Sequence, residues 1–346
     1  MSKIDILNDE LLQGLPEFNR CVWQFPEVDE FLPWLFKDAP NTTVLVAHDN
    51  GRWLAVLGVF RRIYLVDGAP VECGETYAWA TLPDRRGSGL GIKVMKAMME
   101  FGRPLVALGG SADTMEFMPR LGFETIGWAP VLNLPLSSRI IGHEGGIPSY
   151  GSIKDLIARV GLTMLTPVLR PRQSPHATVR NIPMVTLDQK TLDMPTLPGF
   201  QPAYTADLFT WLSLGWRQMG TFLPFHFERD RGLIGWAFAR LSEEAPGMTV
   251  GRILEFKFSP NTNRRDRSAM VRAVCAALAG MNAMIIRCAT TCPDTNIALR
   301  SLNFISRSQI PAMVYMADLS AIQEPVRIAP LRADGGLLPL PVRSAV

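Results

Sequence analysis

The sequence predicts an α/β (α+β) protein with two tandem domains, each a mixed, mostly antiparallel central sheet flanked by helices. Three observations indicate this fold class. Apolar segments in the first third of the chain are separated by hairpin turns, and a glycine-rich loop then leads into a helix-patterned segment. The same order of strand and helix patterns returns in the second half. The length of 346 residues also exceeds that of one typical core.

The first predicted strands follow each other through tight turns. Residues 43–47 are apolar and β-branched, and Asp49-Asn50-Gly51 after them is a strong hairpin signal. A long strand is predicted over 53–66, and a second turn at Asp67-Gly68 leads into a third strand over 71–82. The pattern predicts an antiparallel meander that ends at the glycine-rich loop.

The stretch from Leu82 to Gly91 is the strongest functional signal in the sequence. Its three glycines stand at alternate positions, where the missing Cβ atoms let a ligand approach the backbone. The helix that follows directs its first, unpaired N–H groups and the positive end of its dipole at the loop. Arg85 and Arg86 add positive charge. These features predict a binding site for a phosphate group.

The spacing of the loop distinguishes between the known kinds of phosphate-binding loop. A dinucleotide-binding loop would need a glycine where Ile92 stands, and a P-loop would need a lysine there. The pattern Arg86-x-x-Gly89-x-Gly91 instead resembles the pyrophosphate loop of the GNAT superfamily of acyl-CoA-dependent N-acyltransferases. The predicted tandem domains are therefore expected to be GNAT-like.

A second motif downstream carries the same resemblance. Residues 111–120 have a helical pattern that ends in Leu121-Gly122-Phe123, and the GNAT fold has a helix ending in Leu-Gly-Phe at this spacing. Ser111 stands where the family usually has Asn. Met118 stands where it often has Tyr, and a methionine cannot donate a proton.

The resemblance implies acetyl-CoA or another acyl-CoA as co-substrate, with no metal. In the family, the loop backbone holds the pyrophosphate, the preceding strand binds the pantetheine arm, and an amine attacks the thioester directly. The residues that this assigns to the cofactor are Ala80, Thr81, Leu82, Arg85, Arg86, Gly87, Ser88, Gly89, Leu90, Gly91 and Ser111.

Glu75 and Tyr77 are the candidate catalytic residues. Members of the family commonly have a glutamate on this strand about ten residues before the loop arginine, and Glu75 is at that distance. A partly buried carboxylate would suit a general base, and the alternative is a solvated glutamate without a catalytic role. Tyr77 shares the face of Glu75 because side chains alternate along a strand.

The second half repeats the order of the first without its loop. The loop between the strand predicted at 250–258 and the helix predicted at 268–278 contains no glycine over residues 261–267. This loop should therefore not hold a pyrophosphate in the manner of the family. The second half is therefore predicted to be a degenerate GNAT-like domain. Its predicted elements are strands at 232–241 and 250–258, a helix at 268–278, a strand at 283–286 and a helix at 294–302.

Composition shifts predict the domain boundaries. The acyl-CoA-binding domain is expected at 1–137, a linker with a helix and an extended crossover at 138–203, the degenerate domain at 204–328 and a tail at 329–346.

The predicted linker helix has an apolar stripe at helical spacing, formed by Ile153, Leu156, Ile157 and Val160. The stripe is interpreted as the cover of a groove between the domains. Attachment to a membrane surface is the alternative.

Composition limits the partners and the location. A net charge of +3 without a basic block does not favour a nucleic-acid partner. The sequence contains no run of about 18 apolar residues, so no integral membrane segment is predicted. The five cysteines form neither an even disulfide framework nor a zinc motif, so reduced thiols and a cytoplasmic location are expected.

The leading hypothesis is transfer of an acyl group, most simply acetyl, to an amine of a small molecule or an amino sugar, with a homodimer possible. The amino sugar is suggested by Arg252-Ile253-Leu254-Glu255, which is similar to a strand motif in acyltransferases encoded among exopolysaccharide genes. Two alternatives stay open: an inactive CoA-binding or regulatory protein, and a Fem-like transferase that uses aminoacyl-tRNA. The modest charge argues against the second.

Overall fold

One continuous sheet runs through both halves of the chain. The computed structural model describes residues 2–23, 32–66, 68–142, 151–171, 180–183, 187–218, 220–230, 232–315 and 326–328. The helices are α1 (Asp9–Leu12), α2 (Leu15–Val22), α3 (Leu32–Phe36), α4 (Leu90–Met99), α5 (Ala112–Arg120), α6 (Ser152–Leu169), α7 (Gln189–Leu192), α8 (Ala206–Gln218), α9 (Arg264–Gly280) and α10 (Pro293–Arg300). The strands are β1 (Lys3–Ile6), β2 (Thr42–Asp49), β3 (Arg52–Val66), β4 (Ala69–Thr81), β5 (Leu105–Leu108), β6 (Glu124–Pro135), β7 (Arg180–Pro183), β8 (Gln201–Pro202), β9 (Thr221–Arg229), β10 (Gly232–Ala245), β11 (Met248–Phe258), β12 (Ile285–Ala289) and β13 (Ile305–Tyr315).

The sheet has thirteen strands in the order β1-β2-β3-β4-β5-β13-β6-β12-β11-β10-β9-β7, with β8 paired to β3 outside this path. Among these strands, only β4 with β5 and β11 with β12 pair in parallel. The predicted fold class, a mixed and mostly antiparallel sheet flanked by helices, is therefore confirmed. The two parallel pairs occupy corresponding places in the two halves of the chain.

The two halves exchange their last strands. The strand β6 follows α5 of the first half, yet it pairs with β12 of the second half. The strand β13 follows α10 of the second half and pairs with β5 of the first. These two strands also pair with each other at the centre of the sheet. The predicted domain boundaries stay a prediction, and the predicted tail at 329–346 lies outside the described residues.

The first half forms the predicted meander. A two-residue turn at Asn50-Gly51 joins β2 to β3, and both residues have positive φ (49° and 84°), the conformation that favours this dipeptide in hairpins. In β4, Ala78 also has a positive φ of 50°, where the register against β3 shifts by one residue. This irregularity is a β-bulge, which bends the strand and redirects the residues that follow.

Separate groups of apolar side chains pack the two halves of the sheet against their helices. In the first half, Val94, Met95 and Met98 of α4 pack onto β2, β3 and β4. In the second half, Met270 and Val274 of α9 pack in the same way onto β10 and β11. Within the described ranges, no helix is long and apolar enough to span a membrane.

The linker helix exists, but its predicted role is not what the structure shows. Ala158 and Leu162 on one side of α6 pack near Ile140 and Ile141. The predicted stripe lies on the opposite side of the helix and is exposed. It therefore covers no groove that the described residues form.

We predict that one thiol in five reacts under native conditions. Cys21 is exposed, whereas Cys73, Cys275, Cys288 and Cys292 are buried. Burial raises the pKa of the Cys73 thiol to about 12, and it raises the pKa of Cys275 and Cys288 as well. Titration with Ellman's reagent at pH 8 should label one thiol within minutes and all five in denaturant. In Cys21→Ser the fast phase should disappear, and rapid labelling of two thiols in the wild type would contradict this packing.

Candidate functional site

A cleft opens where β4 and β5 separate. The two strands pair only at Gly74 with Leu105 and at Glu75 with Val106. One further contact, 3.3 Å from Thr76 Oγ1 to the Val106 carbonyl oxygen, follows before the bulge at Ala78 bends β4. Beyond this point the edge of β4 that faces β5 has no strand partner in the described parts of the chain. It can therefore hydrogen-bond an extended ligand.

The cleft has a volume of about 590 Å³. Its walls are β4 from residue 76 to 81, the loop and first turn of α4 from 85 to 92, and residues 108–118 at the start of α5. The predicted cofactor residues that line it are Ala80, Thr81, Arg85, Arg86, Gly87, Gly89, Leu90, Gly91 and Ser111.

Two of the predicted cofactor residues do not line the cleft. Leu82 is buried, and its N–H donates to the Leu54 carbonyl oxygen at 2.9 Å. The hydroxyl of Ser88 donates back to the carbonyl oxygen of Arg85 at 2.6 Å. Both residues therefore stabilise the conformation of the loop through hydrogen bonds within the protein.

The three loop glycines are required for different reasons. Gly87 and Gly89 have φ of 78° and 77° with open space where a Cβ would stand, so the backbone conformation favours glycine there. At Gly91 a Cβ would lie 2.9 Å from Thr81 Oγ1 and 3.4 Å from Trp79 Nε1, so close packing of α4 on β4 favours glycine. The indole N–H of Trp79 also donates to the Gly91 carbonyl oxygen at 3.0 Å. The helix start is thereby fixed against the strand.

The N-terminus of α4 is open to an anion. Its N-cap is Gly89, which offers no side-chain cap. The first N–H that bonds back is that of Lys93, which donates to the Gly89 carbonyl oxygen at 3.0 Å. The N–H groups of residues 90–92 have no partner among the described residues. With the helix dipole and the exposed Arg85 and Arg86 beside them, these groups form a site suited to phosphate.

The corresponding helix of the second half is closed. Asn263 caps α9 by accepting from the Asp266 N–H at 2.9 Å, and the Asp266 carboxylate accepts from the Asn263 N–H at 3.0 Å. Arg229 forms an ion pair with that same carboxylate. The protein's own anion therefore occupies the position at the start of α9 that a phosphate would take.

The opening between β11 and β12 is also filled. The Lys257 ammonium donates to Gln201 Oε1 at 2.9 Å, and Tyr204 donates to the Glu255 carboxylate at 2.7 Å. Burial lowers the pKa of Lys257 and raises that of Glu255. The space left beside these groups is about 10 Å³, too small for a ligand.

Glu75 lies inside the sheet rather than in the cleft. Its carboxylate is 1% exposed and accepts from Arg62 Nη1 at 2.7 Å and from the Tyr64 hydroxyl at 3.0 Å. Burial alone would lower the pKa of Arg62, but the charge of Glu75 raises it above its usual range. Arg62 and Glu75 therefore form a buried ion pair in which both groups are charged. The geometry therefore does not support the predicted role of Glu75 as a base, because Glu75 lies where β4 is still paired with β5 and its carboxylate is engaged by Arg62 and Tyr64 of β3.

Tyr77 lines the cleft with its hydroxyl already engaged. The hydroxyl lies 3.2 Å from the Leu35 carbonyl oxygen and 3.1 Å from Thr42 Oγ1. Its ring stacks on Phe60 at 4.1 Å and lies over Gly58, where a Cβ would come within 2.1 Å of it. Tyr77 is therefore a rigid part of the wall.

The opposite wall begins at α5. Ser111 is its N-cap and accepts from the Thr114 N–H at 3.2 Å, and the almost fully buried Met118 lies at the far end of this wall. The sequence reasoning missed Asp113, which is the one carboxylate that lines the cleft among the described residues. Its position two residues after Ser111, in the first turn of a predicted helix, was the signal that could have found it.

An open helix N-terminus beside a split parallel strand pair defines a class of protein. The helix can hold a phosphate while the free edge of β4 holds an extended arm, which is the arrangement that an acyl-CoA-dependent transferase needs.

Comparison with known families agrees with this class. Residues 3–126 match the family model described as Acetyltransferase (GNAT) domain. This part of the chain is therefore similar to the acetyltransferase domains of the GNAT superfamily. Family and fold together support acyl transfer as the class of reaction. No curated protein matches the sequence.

Solved structures with the same fold span nearly the whole chain. A GCN5-related N-acetyltransferase from Anabaena variabilis is 13% identical, with a TM-score of 0.59 over 93% of this chain and 74% of its own. Saccharomyces cerevisiae N-myristoyltransferase with bound myristoyl-CoA is 11% identical, with a TM-score of 0.62 over 91% and 82%. A probable N-acyltransferase from Enterococcus faecalis is 10% identical, with a TM-score of 0.58 over 93% and 74%. At these identities the likeness shows the fold.

We predict that Glu75→Gln affects stability more than turnover. Loss of the charge leaves Arg62 buried without its ion-pair partner, which should lower the free energy of unfolding by about 3 kcal/mol. Urea denaturation measures this change, and Glu72→Gln on the same strand, with an exposed side chain, is the control. A Glu75→Gln protein of normal stability that has lost a hundredfold in turnover would restore the role of Glu75 as a base.

Proposed function

We propose that the protein is an N-acyltransferase that moves an acyl group, most simply acetyl, from acyl-CoA to an amine of a small molecule or an amino sugar. The observation that carries this proposal is the uncapped N-terminus of α4 at the mouth of the cleft. The family match of residues 3–126 supports the same chemistry.

Acyl-CoA would lie in the cleft with its pyrophosphate at the glycine-rich loop and its pantetheine arm along β4. Its pyrophosphate would accept hydrogen bonds from the N–H groups of Gly87 and of residues 89–92, with Arg85 and Arg86 beside it. The pantetheine arm would run along the free edge of β4 toward the bulge at Ala78. The thioester would then lie at the split, where a backbone N–H can stabilise the developing oxyanion.

The aromatic packing behind the cleft supports a short acyl group. Tyr77 stacks on Phe60, whose ring lies 5.1 Å from Trp211, and Trp211 in turn stacks on Trp34 at 4.2 Å. These rings fill the space behind the wall that Tyr77 forms. A two-carbon acyl group needs none of that space.

The reaction needs a route for one proton. The amine nitrogen attacks the carbonyl carbon, the C–S bond breaks, CoA leaves as the thiolate, and the nitrogen loses a proton. Asp113 is the carboxylate among the described cleft residues, and it lies on the first turn of α5. We therefore propose that a water molecule relays the proton from the amine to the carboxylate of Asp113.

One observation favours a second candidate function. Met118 occupies the place where the family often has a tyrosine, and it is buried without an ionisable group. A protein that binds acyl-CoA without turnover, as a sensor or regulator, would retain the loop and lack the acid. The proposed co-substrate and the five free thiols support a cytoplasmic location in either case.

We predict that Gly89→Asp abolishes acetyl-CoA binding. A carboxylate at the N-terminus of α4 would repel the pyrophosphate and lower the affinity about a hundredfold or more. Isothermal titration calorimetry with acetyl-CoA and with CoA measures the effect. Gly89→Asn carries the same backbone strain without the charge, and Gly51→Asp places a carboxylate at a similar φ of 84° in a distant turn.

The two controls separate the possible causes. Gly51→Asp should bind like the wild type, and Gly89→Asn should lose less affinity than Gly89→Asp. Absence of binding to folded wild-type protein would overturn the acyl-CoA proposal. Binding without loss of the thioester absorbance over a panel of amines would favour the regulatory alternative.

We predict that Tyr77→Phe remains active. Because the hydroxyl of Tyr77 is engaged by Leu35 and Thr42, its removal should cost about 1 kcal/mol of stability and change kcat by less than about threefold. Steady-state rates with acetyl-CoA and the best amine measure this. A hundredfold loss of kcat in a folded variant would instead identify Tyr77 as the acid that protonates the thiolate.

A further inference from the structure

The helix α6 has two apolar sides, and one of them has no partner among the described residues. Its inner side packs near Ile140 and Ile141 through Ala158 and Leu162. On the outer side, six large apolar side chains are 46 to 73% exposed. They are Ile153, Leu156, Ile157, Val160, Met164 and Leu165, and we call them the outer stripe. It follows the length of an 18-residue helix, about 27 Å.

Cations border the outer stripe on both flanks. At 100° per residue, Lys154 lies on one flank of the stripe and Arg159 on the other, and both are exposed. Arg159 donates to the Ile141 carbonyl oxygen at 2.8 Å, which holds it at the edge of the helix. Asp155, the single carboxylate of α6, lies toward the inner side. The outer face of the helix is therefore apolar at its centre and positive at its margins.

We propose that the outer stripe docks on an anionic lipid bilayer surface. Such a helix lies in the plane of the interface, with its apolar side chains several ångströms deep and its cations at the level of the lipid phosphates. No helix among the described residues is apolar enough to span a bilayer, so attachment would be peripheral and reversible. Charge complementarity identifies the surface as anionic, with each cation contributing about fivefold to the affinity.

The same charges argue against a second copy of the chain as the occupant. Two outer stripes packed about a twofold axis would bring the margins with Lys154 and Arg159 together without an exposed carboxylate on α6 to pair with them. A bilayer also accepts a convex ridge, whereas a protein partner would need a matching groove. An anionic lipid surface satisfies both the shape and the charge.

Vesicle sedimentation with the 346-residue chain tests the proposal. Vesicles of phosphatidylcholine with 30% phosphatidylserine should sediment the protein at 50 mM salt. Pure phosphatidylcholine vesicles should bind it at least tenfold more weakly, and 500 mM salt should release it. These two comparisons measure the electrostatic part of the binding.

Three variants test the residues. Ile157→Glu, at an exposed position that should tolerate the change, should reduce vesicle binding at least tenfold. Lys154→Gln with Arg159→Gln should reduce binding to anionic vesicles and remove most of its salt dependence. Leu214→Glu makes the same change at a 53% exposed position on α8 and should bind like the wild type. Retained calorimetric binding of acetyl-CoA, or an unchanged circular dichroism spectrum, shows that each variant is folded.

Other outcomes would overturn the proposal. Absence of binding to anionic vesicles would do so directly. Equal binding to neutral and anionic vesicles would exclude the anionic surface. A dimer in light scattering that Ile157→Glu dissociates would show that a second copy occupies the outer stripe.

Discussion

The parallel pairing of β4 with β5 lasts for two residue pairs, and the site depends on that interruption. Ala78 adopts a positive φ, the strand bends, and its edge becomes available to a ligand. Such a bend would loosen an unsupported strand. Here β4 is paired with β3 on its other side both before and after the bulge, and the buried ion pair of Arg62 with Glu75 joins the two strands next to the split. Because the edge of β4 toward β3 is held in place, the edge toward β5 can stay open to a ligand.

The two halves show how one scaffold can be open or closed to a ligand. Both place a helix after the third strand of a meander and a short parallel strand after that helix. In the first half, the helix begins at a glycine without a cap. In the second, Asn263 and Asp266 satisfy the helix N-terminus, and Lys257, Gln201 and Tyr204 fill the split. A few side chains, rather than a change of fold, separate a binding site from a packed interior.

Local signals predicted much of this structure. The turn at Asn50-Gly51 and the loop up to Gly91 depend on residues that adopt positive φ or allow close approach, and these requirements are visible in the sequence. The burial of Glu75 was not visible, because its partner Arg62 is thirteen residues away on another strand. The exposure of the outer stripe was not visible either, since an apolar helical pattern does not say which surface meets it. The pairing of β6 with β12 joins segments about 150 residues apart, which no local pattern encodes.

The exchange of β6 and β13 has a consequence for how the chain is made. The first half lacks the strand beside β5 until β13 has been synthesised, although the rest of that half is complete almost two hundred residues earlier. Until then the edge of β5 stays unpaired and can associate with another chain. Folding on the ribosome therefore cannot finish domain by domain, as it does in many tandem proteins. The nascent first half is the stage at which a chaperone would have most to protect, and a chain cut before residue 305 would lack the strand that completes it.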